Sequence, residues 1–212
     1  MNRPRSYLLV VLVVTLATAL LVAPALAAKH KGKKGPAVLD VTQQVGALVP
    51  ERAPGSDGTY GLLTSTIEVG KRFKGRVIRD VNATVQTTGV TGNNPSNDLD
   101  AFLSAPNGAT TLLFGGLGGL NPGEAVSIGP LTLDDDVPTH LFDVFNQGDP
   151  LALKPPFAGT AMPAQTLASL DGGPVSGTWV LRVLDTANGG NETSILNFWR
   201  LNVVAGKPYL AK

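Results

Sequence analysis

The stretch Gly177-Thr178-Trp179-Val180-Leu181-Arg182-Val183-Leu184-Asp185 decides the fold class. Trp179, Leu181 and Val183 recur at every second position and alternate with Val180 and Arg182, the period of a strand with one face in a core. The same period places Leu99, Ala101 and Leu103 against Asp98, Asp100 and Phe102, and Val77, Val81, Ala83 and Val85 against Asn82, Thr84 and Gln86. A last run sets Ile195, Trp199, Leu201 and Val203 inward, with Arg200 and Asn202 facing water. Trp179 and Trp199 hold like positions among aliphatic neighbours, so both read as core and not as a sugar platform; an exposed stacking surface would fall to Phe102 and Phe198. Asn107-Gly108 reads as a hairpin turn. Gly115 to Gly119, without a phosphate-loop Lys or Ser/Thr, reads as a flexible turn, and Leu141 to Lys154 as a long surface loop. No twelve-residue window after the N-terminal segment has a clean helical period. An all-β sandwich with Greek-key or jelly-roll connections is therefore expected.

Composition narrows the chemistry. The chain has 212 residues with 25 Gly and 16 Pro, enough for one domain rich in turns plus appendages. Its lack of Cys excludes disulfides, thiolate metal sites and a Cys nucleophile. The two histidines, His30 and His140, leave little room for a histidine metal cluster or a Ser-His-Asp triad, so the chain is expected not to be an enzyme.

The N-terminus is set apart. Arg3 and Arg5 precede an apolar run from Tyr7 to Ala23, and Pro24-Ala25-Leu26-Ala27 follows, the order of a secretory signal peptide with cleavage after Ala27 or Ala28. Residues 1–27 are thus expected to be a signal peptide; if retained, they would be a membrane anchor at the lower limit of length. An exported chain without Cys points to a bacterial secreted or cell-envelope protein. Residues 28–61 read as a basic linker containing Gly and Pro, with at most one early strand. Lys29, His30, Lys31, Lys33 and Lys34 form its cationic start. Without Arg3, Arg5 and those four lysines, 11 basic residues face 16 acidic ones, which argues against nucleic acid as the main partner.

The acidic loops carry the most chemistry. Asp98 and Asp100, the run Asp134-Asp135-Asp136, and Asp185 are candidate ligands for Ca2+, a hard cation that takes six to eight oxygens and would relieve the repulsion between neighbouring carboxylates. A single site would need the sandwich to bring the loop at Asp98 to the loop at Asp134 to Asp136; the alternative is solvated acidic turns. Asp98 and Asp185 could also be weighed as a general acid and base for glycoside hydrolysis, which requires a cleft of suitable width.

Five blocks in order resemble the P domain, or P/Homo B domain, that accompanies subtilisin-like proprotein convertases and many secreted bacterial proteases. They are Asp98 to Gly108, Leu131 to Asp136, Pro156 to Thr160, Gly177 to Asp185 and Leu196 to Leu201. The resemblance spans 62–205, with 206–212 as a C-terminal tail. It implies a jelly-roll β-sandwich of galactose-binding-like type and a non-catalytic module that supports a neighbouring serine endopeptidase domain and tunes its stability and its calcium or pH response. The departures fall on loops: Asn97 where the family has Gly, Ala161-Met162 where Tyr-Arg is usual, and Asn191-Glu192-Thr193-Ser194 in place of Gly-Asp-x-Gly. The partners expected are a secreted protease, in the same assembly or in trans, or an extracellular protein or polysaccharide bound by an adhesin.

Overall fold

The computed structural model describes residues 36–51, 60–91, 98–117, 127–141, 152–153, 157–186 and 193–208. The expected signal peptide, the basic start of the linker, the Asn-rich insertion before Asp98 and most of the loop between Leu141 and Lys154 lie outside them. So does the end of the Gly115 to Gly119 turn.

The strands are β1 (Ala37–Val49), β2 (Gly61–Val69), β3 (Val77–Thr91), β4 (Leu99–Ser104), β5 (Thr110–Gly115), β6 (Ile128–Leu133), β7 (His140–Leu141), β8 (Ala152–Leu153), β9 (Gly159–Ala161), β10 (Gly177–Asp185) and β11 (Thr193–Gly206). Short 3₁₀ turns occupy Lys71–Phe73 and Leu167–Leu170. One sheet has the order β1-β11-β3-β6-β9 and the other β2-β10-β4-β5, while β7 pairs with β8 apart from both. Leaving out the short strands β7 to β9, the remaining eight run first-eighth-third-sixth over second-seventh-fourth-fifth. That is the strand order of a jelly roll, so the chain is an all-β jelly-roll sandwich.

Alternation explains which side chains the two sheets share. On β10 and β4, Trp179, Leu181 and Val183 and Leu99, Ala101 and Leu103 are all buried, as their period requires. Two positions differ from the expectation. Ile78 is buried where Val77 was expected, and Leu196 where Ile195 was expected. The β3–β11 register slips by one residue between Val204 and Ala205, leaving Arg79 as the extra residue, and again between Leu196 and Phe198, leaving Asn197. A bulge inserts one residue and so reverses which face the following residues occupy.

The sandwich also starts earlier than Leu62. β1, inside the stretch read as a linker with at most one early strand, pairs with β11 from Ala37↔Ala205 to Val49↔Ser194. Its signal is weak because it is an edge strand and a bulge between Gln44 and Ala47 breaks the alternation. At the other end β11 runs to Gly206. The chain leaves β1 and enters β2 at a point of close approach, since a Cβ built on Gly61 would lie 1.7 Å from the Pro50 carbonyl oxygen. Gly61→Ala therefore forces backbone apart at the crossover between the sheets. We expect a loss of about 1–3 kcal/mol, the range for overpacking, measured as a lower denaturant midpoint; an unchanged midpoint would show that the crossover yields freely.

Candidate functional site

The hairpin between β4 and β5 forms as expected. Gly108 has φ +85°, its N–H donates to the Ala105 carbonyl at 2.9 Å, and the Ala109 N–H donates to Asn107 Oδ1 at 3.1 Å. That turn faces one end of the sandwich, and the six predicted carboxylates divide between this end and the other. Asp185 pairs with Leu99 and Gly61 at the far end of β10, whereas Gly177 at its start pairs with Val69. Asp134 follows β6, whose last residue Leu133 is opposite Ala83, just before the middle of β3, and the acids after it run on toward the start of that strand, beside Asn82 and Asp80. The start of β3 lies in turn against Pro174, just before β10. Asp98, Asp100 and Asp185 thus stand at one end, and Asp134, Asp135 and Asp136 at the other. A nine-residue strand, roughly 25–30 Å at the usual rise, lies between. The loops at Asp98 and Asp134 do not meet.

Within the second group, hydrogen bonds already occupy carboxylate oxygens. Asp134 Oδ1 accepts from the Asp136 N–H at 2.8 Å, closing an Asx turn, and its Oδ2 accepts from Asn82 Nδ2 at 3.3 Å. Asp135 turns to the Leu167–Leu170 helix, accepting from Thr166 Oγ1 at 2.6 Å, the Leu167 N–H at 3.0 Å and the Ala168 N–H at 2.8 Å. These are the free donors of a helix start, so Asp135 caps from a distant loop what Thr166 caps locally. The cap holds Leu167 and Leu170 in the core.

Two further acids stand beside this group without a run or motif in the sequence to mark them. Asp80 follows the bulged Arg79 on β3, and Asp171 follows the capped helix; with Arg79, Asp135 and Asp136 they line a shallow hollow. Partial burial raises the pKa of Asp80, and the charges of Asp134 and Asp136 raise it further. Asp171 is raised first by burial, then by Asp80 and Asp135, with Arg79 opposing. The register that sets β3 beside β6, and the docking of the Leu167–Leu170 helix end on β3 through the Gly172 N–H to the Ile78 carbonyl, make these residues neighbours.

At the opposite end Asp185 is 9% exposed, on the inward face with Trp179, Leu181 and Val183. The Asp98 carbonyl accepts from the Thr186 N–H at 2.7 Å and from its Oγ1 at 3.0 Å. Burial raises the pKa of Asp100, while a hydrogen bond from the Gly116 backbone lowers it. A Cβ on Gly115 would sit 2.7 Å from Asp100 Oδ1, so that carboxylate fits because its neighbour lacks a side chain. Among the described residues, no group of three or more His, Cys, Asp or Glu could hold a metal ion. His140 is exposed on β7, and His30 lies outside the described residues. Phe102 and Phe198 are half-buried, and both tryptophans are fully buried.

No protein-family model and no curated protein matches this chain. Among solved structures it is similar to the crystal structure of a serine protease of Aeromonas sobria, with a TM-score of 0.42 and 17% identity over 85% of this chain and 29% of that one. It is also similar to the Aeromonas sobria serine protease and chaperone complex, with a TM-score of 0.39 and 14% identity over 82% of this chain and 28% of that one. The chain spans less than a third of the length of either, and likeness at these scores supports no functional inference.

Two outcomes follow from the acidic end. Asp135→Ala removes a three-donor acceptor and should cost about 1–2 kcal/mol, as for a lost helix cap, measured by denaturant unfolding. Asp80 is the opposite case. Its raised pKa means that its ionised form opposes the fold, so its favourable contribution is complete below the unfolded carboxylate value of about 4 and is lost as pH rises through the folded value. Asp80→Asn should therefore raise the melting temperature at pH 7, within the ~0–1 kcal/mol of solvent-screened charges, and leave it unchanged near pH 3. A gain of equal size at both pH values would exclude charge repulsion as its cause.

Proposed function

We propose that this chain is a secreted, non-catalytic jelly-roll module of P-domain type that binds and stabilises a serine-protease partner. What supports the reading is where the five resembling blocks fall. Asp98 to Gly108 supplies β4 and the hairpin turn, and Gly177 to Asp185 is β10. Leu131 to Asp136 supplies the end of β6 and the loop that caps the Leu167–Leu170 helix. Pro156 to Thr160 contains Phe157, fully buried at φ +50°, a strained backbone for a bulky residue. Leu196 to Leu201 lies inside β11 and contains the buried Trp199. The resembling residues are thus those that build the sandwich, and a module of this kind acts through its surface. The chain's two histidines, one of them exposed on a two-residue strand, fit a role without a catalytic triad.

The test uses the chain without residues 1–27 as bait in culture supernatant of its source, with millimolar calcium and with chelator. Capture of a serine protease whose half-life at elevated temperature lengthens in the bait's presence is the expected result. Capture with no effect on half-life would favour a tether over a stabiliser, and hydrolysis of a protein substrate by the bait alone would overturn the non-catalytic reading. The same preparation tests the calcium expectation: a bound ion raises the melting temperature in calcium, by mass action, and an unmoved temperature removes calcium from the account.

A further inference from the structure

The sandwich end that carries the acidic hollow carries a cationic corner on its other half. Between β2 and β3 the chain reads Lys71-Arg72-Phe73-Lys74-Gly75-Arg76, Arg79 follows at the bulge, and Lys207 comes just after β11. The turn is well held: the Lys74 N–H donates to the Lys71 carbonyl and the Arg76 N–H to the Phe73 carbonyl, both at 3.0 Å. Phe73 is buried beneath it, and the Arg72 guanidinium lies 4.9 Å from its ring centroid. Arg76 Nη1 reaches the Ala205 carbonyl at 3.5 Å, and Arg79 Nη2 donates to the Lys207 carbonyl. These two arginines join the turn to the end of β11.

Lys71, Arg72, Lys74 and Lys207 are exposed, and none of them is in an ion pair among the described residues. Lys71 and Lys74 lie one 3₁₀ turn apart, about 6 Å of rise, well within the roughly 10 Å screening length of 0.1 M salt, so their fields add. Glu68, exposed near the end of β2, is the acid nearest this turn in the chain; the carboxylates of the hollow lie beyond Arg79, on the side of β6 and the Leu167–Leu170 helix.

We propose that this corner, built on Lys71, Arg72, Lys74, Arg76 and Lys207, is a binding site for a linear acidic polysaccharide. The proposal is independent of the protease-module reading. Charge complementarity asks for a polyanion, and the excess of acid over base elsewhere in the chain asks for one narrow enough to touch this corner alone. A broad anionic surface or a rigid duplex would meet repelling carboxylates as well. Among the described residues the corner offers no exposed ring for stacking bases, because Phe73 is buried. Among the described residues it offers little to insert into a bilayer: Leu48, Tyr60 and Leu62 are exposed at the opposite end of the β1 and β2 edges, which leaves Val38 as the large apolar side chain exposed nearby.

The test is salt elution from immobilised heparin, a sulfated probe, and alginate, a carboxylated one. It compares the chain without residues 1–27 with its Lys71→Ser/Lys74→Ser/Lys207→Ser variant. Because Lys29, Lys31, Lys33 and Lys34 would also be retained, both are measured again with those four lysines changed to Ser. The triple variant should elute at lower salt in both backgrounds, and the slope of log affinity against log salt should fall by about two to three, as counterion release predicts for three lost contacts. The heparin and alginate arms separate a sulfate ligand from a carboxylate one. Exchange of the same three lysines for arginine should restore wild-type elution, which a misfolded variant would not allow. Co-elution of the triple variant with wild type in both backgrounds overturns the proposal. So does tighter binding, at equal salt, to a single-stranded oligonucleotide or to anionic phospholipid vesicles than to either polysaccharide.

Discussion

An indole N–H buried in an apolar interior is costly unless it finds an acceptor, and both tryptophans of this chain are fully buried. Trp179 donates to the Val175 carbonyl at 3.0 Å, four residues upstream, which ties the loop before β10 to the strand it introduces. Trp199 on β11 donates to Ser65 Oγ on β2 at 2.9 Å. The second bond crosses from one sheet to the other, so it sets the position of the edge strand β2 relative to the centre of the facing sheet. β2 is in turn fixed to β1 by the tight passage of Gly61 past Pro50. With no disulfide available, the link between layers is made by the buried aromatic and aliphatic side chains of the core, with the Trp199 hydrogen bond crossing it.

The central strand pair β3–β11 must reconcile this core with the ends of the sandwich, and it does so with bulges. The slip at Arg79 moves Ile78 into the core and throws the Arg79 side chain across Gly206, where a Cβ would lie 2.4 Å from Nε. Arg79 then bonds the Lys207 carbonyl and also lines the acidic hollow with Asp80. One inserted residue thus shifts the β11 pairing two residues from its end, covers a glycine and marks the boundary between basic and acidic halves of the same end. On the face of the sheet, by contrast, the Asp40–Arg200 pair is exposed at both partners and serves the edge strand locally, the Arg200 hydrogen bond holding the Asp40 carboxyl below its usual pKa.

Much of the sandwich is legible in the sequence because strands with one buried face write their environment in period two. β10 and the Trp199 to Val203 part of β11 show it cleanly, since each pairs on both sides without a slip over that span, and β4 shows it because its pairing with β10 is regular and the slip against β5 leaves the extra residue, Leu113, on β5. Legibility fails where pairing is irregular: at Val77 and Ile195, each beside a bulge, and along β1, an edge strand bulged near its middle. The carboxylate site was the least legible part. A run such as Asp134 to Asp136 announces itself, but whether it meets Asp98 depends on which sheet end each loop occupies, and period two carries no information about that. Asp80 and Asp171 were missed for the same reason, being single acids brought beside the run by the β3–β6 register and by a short helix.

The distribution of charge at that end bears on where function resides. A side chain that the fold uses is a poor indicator of ligand binding, and the acids of the Asp134 to Asp136 loop are used: one caps a helix, another closes its own turn and holds Asn82. Removing Asp135 would release the cap, so its presence needs no ligand to explain it. The lysines of the opposite half are in a different position. Lys71, Lys74 and Lys207 contribute backbone to the turn and to the strand end, while among the described residues their ammonium groups have no ion-pair partner. Like charges at that spacing repel, a cost the fold could remove by pairing them with acids, yet among the described residues even Glu68, exposed near the end of β2, forms no ion pair with them. An unrelieved cationic turn, anchored on a buried Phe73 and two backbone-bonded arginines, is rigid where its charges have no internal work. In such a molecule the search for a ligand is better directed to the charges that the structure leaves uncompensated than to those it has already put to use.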